Sequence, residues 1–245
     1  MKRNLLLAAA AAGTLAPLVA GRRGFLAWPP AHALVLVPTL LRNNACFGPI
    51  ATHFETPRRE VWLTIDDGPD PRDTPAMLEV LAKYRAKATF FMIGGKAGRL
   101  RSLAWEVRSA GHGIGNHTYS HPSATFWALG PHAMQREIER GASAIHAATG
   151  VRPALFRSPV GMTNPFVHPA LGDQRLIGWS ASGLDGLRDR GRVVVDRILA
   201  RVRPGAIVVI HEGGAPGRVG TLQMLLERLT AEGYACVIPD FASLR

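Results

Sequence analysis

The chain predicts an α/β fold on a parallel sheet that closes, wholly or in part, into a barrel. Two observations point there. From residue 60 onward, short apolar runs alternate with apolar residues at helical spacing about seven times. Near-continuous apolar strands belong to parallel sheets, whose two faces are both covered. Second, polar residues of catalytic type recur just past the runs: Asp66 and Asp67, His117 and His121, Arg157, Asp185, His211. In a closed sheet these converge on one rim, the end where barrels carry their chemistry.

The first run, Val61 to Ile65, drives straight into Asp66 and Asp67, and Gly68 and Pro69 then turn the chain. Consecutive strand residues point to opposite sides, so the two carboxylates are expected to divide their work. Asp73, Thr74 and Pro75 start a helix, with Thr74 as cap and Pro75 at its first position. That helix runs to about Tyr84. Ala88 to Ile93 is the next strand. Leu100, Leu103, Ala104 and Val107 repeat at helical spacing, and Gly111 closes their helix.

A short strand near Gly113 to Gly115 leads into His-Thr-Tyr-Ser-His. Met134, Ile138 and Ile145 mark a helix that ends at Gly150. Ala154 to Phe156 leads into Arg157, and a fifth strand, Leu176 to Ser180, leads toward Asp185. Val195, Ile198, Leu199 and Val202 lie on a helix stopped by Pro204 and Gly205. Ala206 to Ile210 is a strand ending at His211. Leu222, Leu225, Leu226 and Leu229 give the last helix, and Tyr234 to Ile238 the last strand.

Three regions follow: an N-terminal hydrophobic segment, 1–42, a connector, 43–59, and the main domain, 60–245. In the first, Lys2 and Arg3 precede an apolar run from Leu5 to Ala20. As a helix it would span about 24 Å, a little short of a ~30 Å hydrocarbon core. Gly21, Arg22 and Arg23 interrupt, and a second apolar stretch, Gly24 to Leu41, is broken by three prolines. Cleaved signal, uncleaved anchor and two-helix hairpin all fit. Attachment through residues 5–41 is favoured, because the hydrophobicity continues past any cut. Lys2 and Arg3 inside place the domain on the extracytoplasmic side, although Arg22 and Arg23 oppose that orientation. Cleavage would make the protein secreted.

The 245 residues carry a net charge of +11. The basic residues are scattered arginines with no dense run, so nucleic acid is not an expected partner. Two cysteines, Cys46 and Cys236, cannot make a disulfide framework or a thiolate zinc site. Whether they pair is open, as is the oligomeric state.

His117 and His121 are four apart, and on a helical turn both imidazoles would face one cation. Asp67 would supply a third ligand. Two histidines and a carboxylate leave open positions for water and substrate. The same set also suits iron in an oxygenase, although that chemistry has no need of Asp66 or His211.

Thr-Ile-Asp-Asp-Gly-Pro at 64–69, Gly-Asn-His-Thr-Tyr-Ser-His-Pro at 115–122, Phe-Arg-Ser-Pro-Val-Gly at 156–161 and Val-Ile-His at 209–211 resemble the motifs of the polysaccharide deacetylases. This is the NodB-homology family, also called carbohydrate esterase family four. The resemblance covers about Val61 to Asp240 and implies a distorted (β/α) barrel of about seven parallel strands. It implies a divalent metal, Zn²⁺ first, held by Asp67, His117 and His121. Asp66 would be the general base and Arg157 would hold it. The N–H of Val160 would help bind the oxyanion. His211 would be the general acid, tuned by Asp185. The implied substrate is an acetylated glycan that loses N-acetyl groups as acetate. An O-acetyl esterase, and a tethered glycan-binding protein without turnover, are the alternatives. Two departures from the family pattern stand out. Val160 occupies a position that is often aromatic. The fourth motif, usually Asp-x-x-Asp-Trp, is here Ser182 to Gly186 and keeps only Asp185.

Overall fold

The computed structural model describes residues 36–185, 191–214 and 216–245. Its centre is β1, Glu60–Asp66, whose alternation sorts the interior into two sides. Val61, Leu63 and Ile65 join the large core beneath the helices. Trp62 points the other way, into a cluster with Phe91, Ile177 and Ile207. Thr64 and Asp66 share the parity of Trp62, so the strand itself delivers a carboxylate to the inside of the barrel.

The helix Asp73–Lys83 returns the chain to β2, Ala88–Met92. Helices Gly94–Arg99 and Arg101–Ser109 precede β3, Gly113–Asn116. The long helix Pro131–Thr149 ends on Gly150, whose φ of 72° is the left-handed cap expected of glycine. Two-residue strands follow, β4 at Leu155–Phe156, β5 at Arg175–Leu176 and β6 at Ala181–Ser182. Helix Arg192–Leu199 leads to β7, Ala206–His211, and helix Arg218–Ala231 to β8, Ala235–Cys236.

The order across the sheet is β5-β4-β3-β2-β1-β7-β6, with β8 added beside β1. Every pairing between these strands is parallel. The α/β barrel expectation therefore holds. The strand expected at Leu176 to Ser180 does not. Only Leu176 is in a strand, as the end of β5; the chain then crosses to β6, which starts at Ala181 on the opposite edge of the sheet. The five steps from Leu176 to Ala181 reach at most about 18 Å, so the two edges must curl toward each other. Between them the backbone finds other partners. Gly178 N–H donates to Ala51 O at 2.8 Å and Ser180 N–H to Ile207 O at 3.0 Å. Buried backbone needs such partners, and those on the connector side are what hold the chain off the β4 ladder.

Residues 43–59 lie largely within this architecture. Ala51 bridges Ile177, His53 bridges Ala206, and Phe54 bridges Leu244. Ala51 and Phe54 are buried in the inner cluster with Trp62. Thr74 also departs from expectation. It lies inside the helix, and its hydroxyl donates to Glu212. Asp70 Oδ1 takes the N–H groups of Arg72 and Asp73 at 2.9 and 3.2 Å, which is the work of a cap.

Cys46 and Cys236 are both free thiols. Cys236 is half-buried against the large core, and burial pushes its thiol up to about 12. Of the expected membrane segment, 5–41, residues 5–35 lie outside the described residues. Among those described, no helix is long and apolar enough to cross a membrane.

Candidate metal and catalytic centre

The centre is built where β1, β3, β4 and β7 end. Asp66 is the last residue of β1 and Asp67 the first beyond it. Asp67 has a φ of 76°, a left-handed conformation that costs a non-glycine residue about 1 kcal/mol or more. The carboxylates therefore do not simply alternate. The turn swings Asp67 back toward the barrel mouth, where its Oδ1 lies 3.5 Å from His117 Nε2 and 3.3 Å from His121 Nε2. Asp66 Oδ2 sits 3.9 Å from the same His117 nitrogen.

The two histidines are not on a helical turn as their spacing suggested. They lie on a loop after β3, with Thr118 and His121 at φ 66° and 56°. His121 N–H closes the turn on Thr118 Oγ1 at 3.0 Å. The ring centroids are 4.7 Å apart. His117 Nδ1 donates to Arg157 O at 2.7 Å, which fixes the tautomer and leaves the Nε2 lone pair facing Asp67.

One ligand atom from each of Asp67, His117 and His121 lies within 4.8 Å of the others. Asp67 Oδ1 is buried with no hydrogen-bond partner. A carboxylate oxygen orphaned between two imidazole lone pairs is a poor arrangement without a cation and a good one with it. The donor set fits a divalent metal. Burial opposes ionisation of Asp67, but the neighbouring imidazoles, His117 first, hold its carboxyl well below the usual range. Burial above all lowers His121 to about 4, so its nitrogen is free to coordinate at neutral pH.

Arg157, fully buried, organises the inner side. Its Nη1 donates to Asp66 Oδ1 at 2.8 Å and to Thr64 Oγ1 at 2.6 Å. Its Nη2 donates to Gly178 O at 2.9 Å and its Nε to Ile177 O at 3.3 Å. One guanidinium thus ties the catalytic strand to the chain crossing between the sheet edges. Its carbon also lies 4.2 Å from the centre of the Phe91 ring.

On the other side, His211 ends β7 in register with Asp66. Its Nδ1–H donates to Asp185 Oδ1 at 2.9 Å, and its backbone N–H to Asp185 Oδ2 at 2.7 Å. Burial opposes the charge on His211, but Asp185 outweighs it and raises the imidazole to about 9. The aspartate retained from the altered fourth motif thus lies against His211. Val160, at φ 57°, stands in a turn after β4 and lines the cleft. Its N–H has no protein acceptor among the described residues.

Three contributors were not read from the sequence. Arg218, nearly buried, donates to Asp185 Oδ2 at 3.0 Å. It follows a glycine-rich loop and looks there like any solvated cation. Trp179 supplies an aromatic wall three residues before Ser182. Glu212, buried beneath the Asp67–Gly68 turn, is raised by that burial to about 8. The pair His211-Glu212 ends an apolar run just as Asp66-Asp67 does, and that parallel was the available signal.

A cleft of about 270 Å³ joins Asp67, His117, His121 and His211 with Val160 and Trp179. Asp66 and Asp185 reach it through His117 and His211. The sequence of the chain matches the polysaccharide deacetylase family over residues 53–173. A chitooligosaccharide deacetylase of Rhizobium leguminosarum bv. trifolii is 35% identical over 188 residues, 76% of this chain and 86% of that protein. A peptidoglycan-N-acetylglucosamine deacetylase of Bacillus cereus is 33% identical over 192 residues, 75% and 89% of the two chains. The family 4 carbohydrate esterase from Streptomyces lividans, solved in complex with acetate, superposes with a TM-score of 0.69 at 28% identity, over 76% of this chain and 95% of that one. Sequence, barrel and the grouping of its polar residues agree: the chain belongs to the polysaccharide deacetylase family, whose members are hydrolases.

Proposed function

We propose that the protein is a metal-dependent hydrolase that removes N-acetyl groups from an amino-sugar poly- or oligosaccharide and releases acetate. The observation that carries this is the orphaned Asp67 Oδ1 between two imidazole nitrogens, with a held carboxylate on one side and a protonated imidazole on the other.

Asp67, His117 and His121 would hold the divalent cation, with Zn²⁺ well suited to the donor set, and a cation there supplies Lewis acidity to a water and to the acetamide oxygen. Asp66 acts as the base. Arg157 occupies its Oδ1, so Oδ2 is the atom left to accept a proton from the attacking water. The free N–H of Val160 donates to the oxygen that gains charge at the carbonyl carbon; a donor of this kind is commonly worth about 3–4 kcal/mol. His211 gives its proton to the departing amine, and Asp185 keeps that proton in place at neutral pH. The proton taken by Asp66 and the one given by His211 balance the hydrolysis.

Two named relatives act on chitooligosaccharide and on peptidoglycan N-acetylglucosamine, which supports an N-acetylglucosamine chain as the substrate class. The deciding experiment is acetate release from N-acetylglucosamine oligomers with defined metals added back. Release that is abolished by chelation and by Asp66→Asn is expected. Full activity in Asp66→Asn would remove the assigned base. We also propose attachment to a membrane with the catalytic domain on the extracytoplasmic side. The apolar run Leu5 to Ala20 supports this, as do the exposed Leu36, Val37, Leu40 and Leu41. Recovery of the full-length protein in the soluble fraction without detergent would count against it.

A further inference from the structure

The cleft has one wall that the catalytic reading leaves unused. Arg42 lines it, coming from the segment before the barrel rather than from a strand end. Among the described residues its guanidinium has no carboxylate partner and no hydrogen bond. The other lining side chains outside the reaction centre, Ser123, Val160, Trp179, Ser182 and Leu184, are uncharged. Among the described residues Arg42 is thus the one charged side chain of this wall.

Its position is built. The next residue, Asn43, adopts a left-handed φ of 52°. Its N–H donates to Gly161 O at 2.9 Å, and its side-chain amide to Trp179 O at 2.9 Å. Those two acceptors belong to the loops that carry Val160 and the aromatic wall. Gly178 accommodates the same side chain, since a Cβ there would come within 2.5 Å of Asn43 Oδ1. Thr163 Oγ1 holds Asn44 O at 3.1 Å. The backbone bearing Arg42 is therefore fastened to both cleft loops, while its side chain remains exposed.

We propose that Arg42 forms a subsite for an anionic group on the substrate, so that the preferred substrate is an acetylated amino-sugar chain carrying a carboxylate or a phosphate close to the reacting sugar. This rests on the deacetylase reading. A guanidinium binds either anion through two parallel N–H···O bonds, which gives geometric as well as charge selection. The cleft, about 270 Å³, lies just below the ~300–1,000 Å³ range of small-molecule sites. A group that reaches Arg42 thus sits on the reacting sugar or its immediate neighbour.

The test compares acetate release from three oligomers of equal length: neutral N-acetylglucosamine, the same chain with a carboxylate ether on the neighbouring sugar, and the same chain phosphorylated at its reducing end. Wild-type protein is expected to favour one anionic oligomer by about 10- to 100-fold in kcat/KM, the size of a charge-assisted contact, and which one wins identifies the anion. In Arg42→Gln the preference collapses toward unity through KM. Arg42→Lys keeps part of it, because the charge stays and the fork is lost. Raising the salt shrinks the wild-type preference. Equal rates on all three oligomers, or a preference unchanged in Arg42→Gln, overturns the subsite while leaving the deacetylase reading intact. If no oligomer releases acetate with any metal, the deacetylase reading falls, and calorimetric binding of the three oligomers then decides the subsite: equal affinities overturn it.

Discussion

His211 Nδ1 lies 2.9 Å from Asp185 Oδ1, and the second oxygen of the same carboxylate takes the backbone N–H of His211 at 2.7 Å and Arg218 Nη1 at 3.0 Å. One buried carboxylate thereby fixes the tautomer, the orientation and the charge of the imidazole. The alkaline limb of kcat/KM is expected to follow His211, with activity lost as pH rises through about 9. In Asp185→Asn the limb moves down toward 6.5 and the rate at pH 8 falls by about tenfold or more. A pH–rate profile checks both. The sign for stability is the same. A folded value raised above 6.5 stabilises fully below pH 6.5, and that contribution is lost as pH rises through about 9.

Arg157 makes the opposite kind of pair, fully buried with Asp66. In Arg157→Met, Asp66 is left buried without a countercharge, and the carbonyls of Ile177 and Gly178 lose their donors. A loss of about 3–5 kcal/mol in unfolding free energy is expected, with activity abolished. Denaturant unfolding of the variant measures it.

Loading the site with Zn²⁺ should stabilise the fold. At a free ion concentration 100 times Kd the gain is about 3 kcal/mol, read as a rise in Tm of several degrees. Asp67→Ala removes the oxygen shared between His117 and His121 and should abolish the rise. An unchanged response in that variant would mean the ion binds elsewhere.

Glu212 predicts a slope of stability with pH. Its folded value, about 8, is above the ordinary 4.5 because burial disfavours the carboxylate. The wild-type protein therefore loses stability as pH rises from about 4.5 to 8, by up to a few kcal/mol. Glu212→Gln keeps the shape without the charge and should flatten that slope. Urea unfolding of both proteins at pH 5 and pH 8 makes the comparison.

Phe54 tests whether the segment before β1 belongs to the core. It is buried beside Trp62 and Leu244. Phe54→Ala should cost about 3–5 kcal/mol, whereas a peripheral linker residue would cost almost nothing on thermal unfolding.

Much of the barrel was legible because burial on both strand faces leaves an unbroken apolar run, and because helices repeat at their own period. Val61 to Ile65 and Ala206 to Ile210 show the first, and Leu222 to Leu229 the second. The short strands were harder. Leu176 to Ser180 reads as one strand by composition, yet its backbone is shared between two sheet edges and the connector, and such partners leave no mark on local pattern.

The sequence by itself determined the reaction centre's inventory. Asp66, Asp67, His117, His121, Arg157, Asp185 and His211 could be picked out because each follows an apolar run or belongs to a recognisable motif. Only the tertiary structure decided how they face one another. Left-handed turns at Asp67 and His121 aim their side chains at one point; Lys96 holds the carbonyl of Asp67, and the N–H groups of Gly94 and Gly95 hold the loop before His121. Arg218, Glu212 and Arg42 became visible only there as well. What a charged side chain does depends on which carboxylate, carbonyl or open cleft the fold sets beside it, and residue type alone does not encode that.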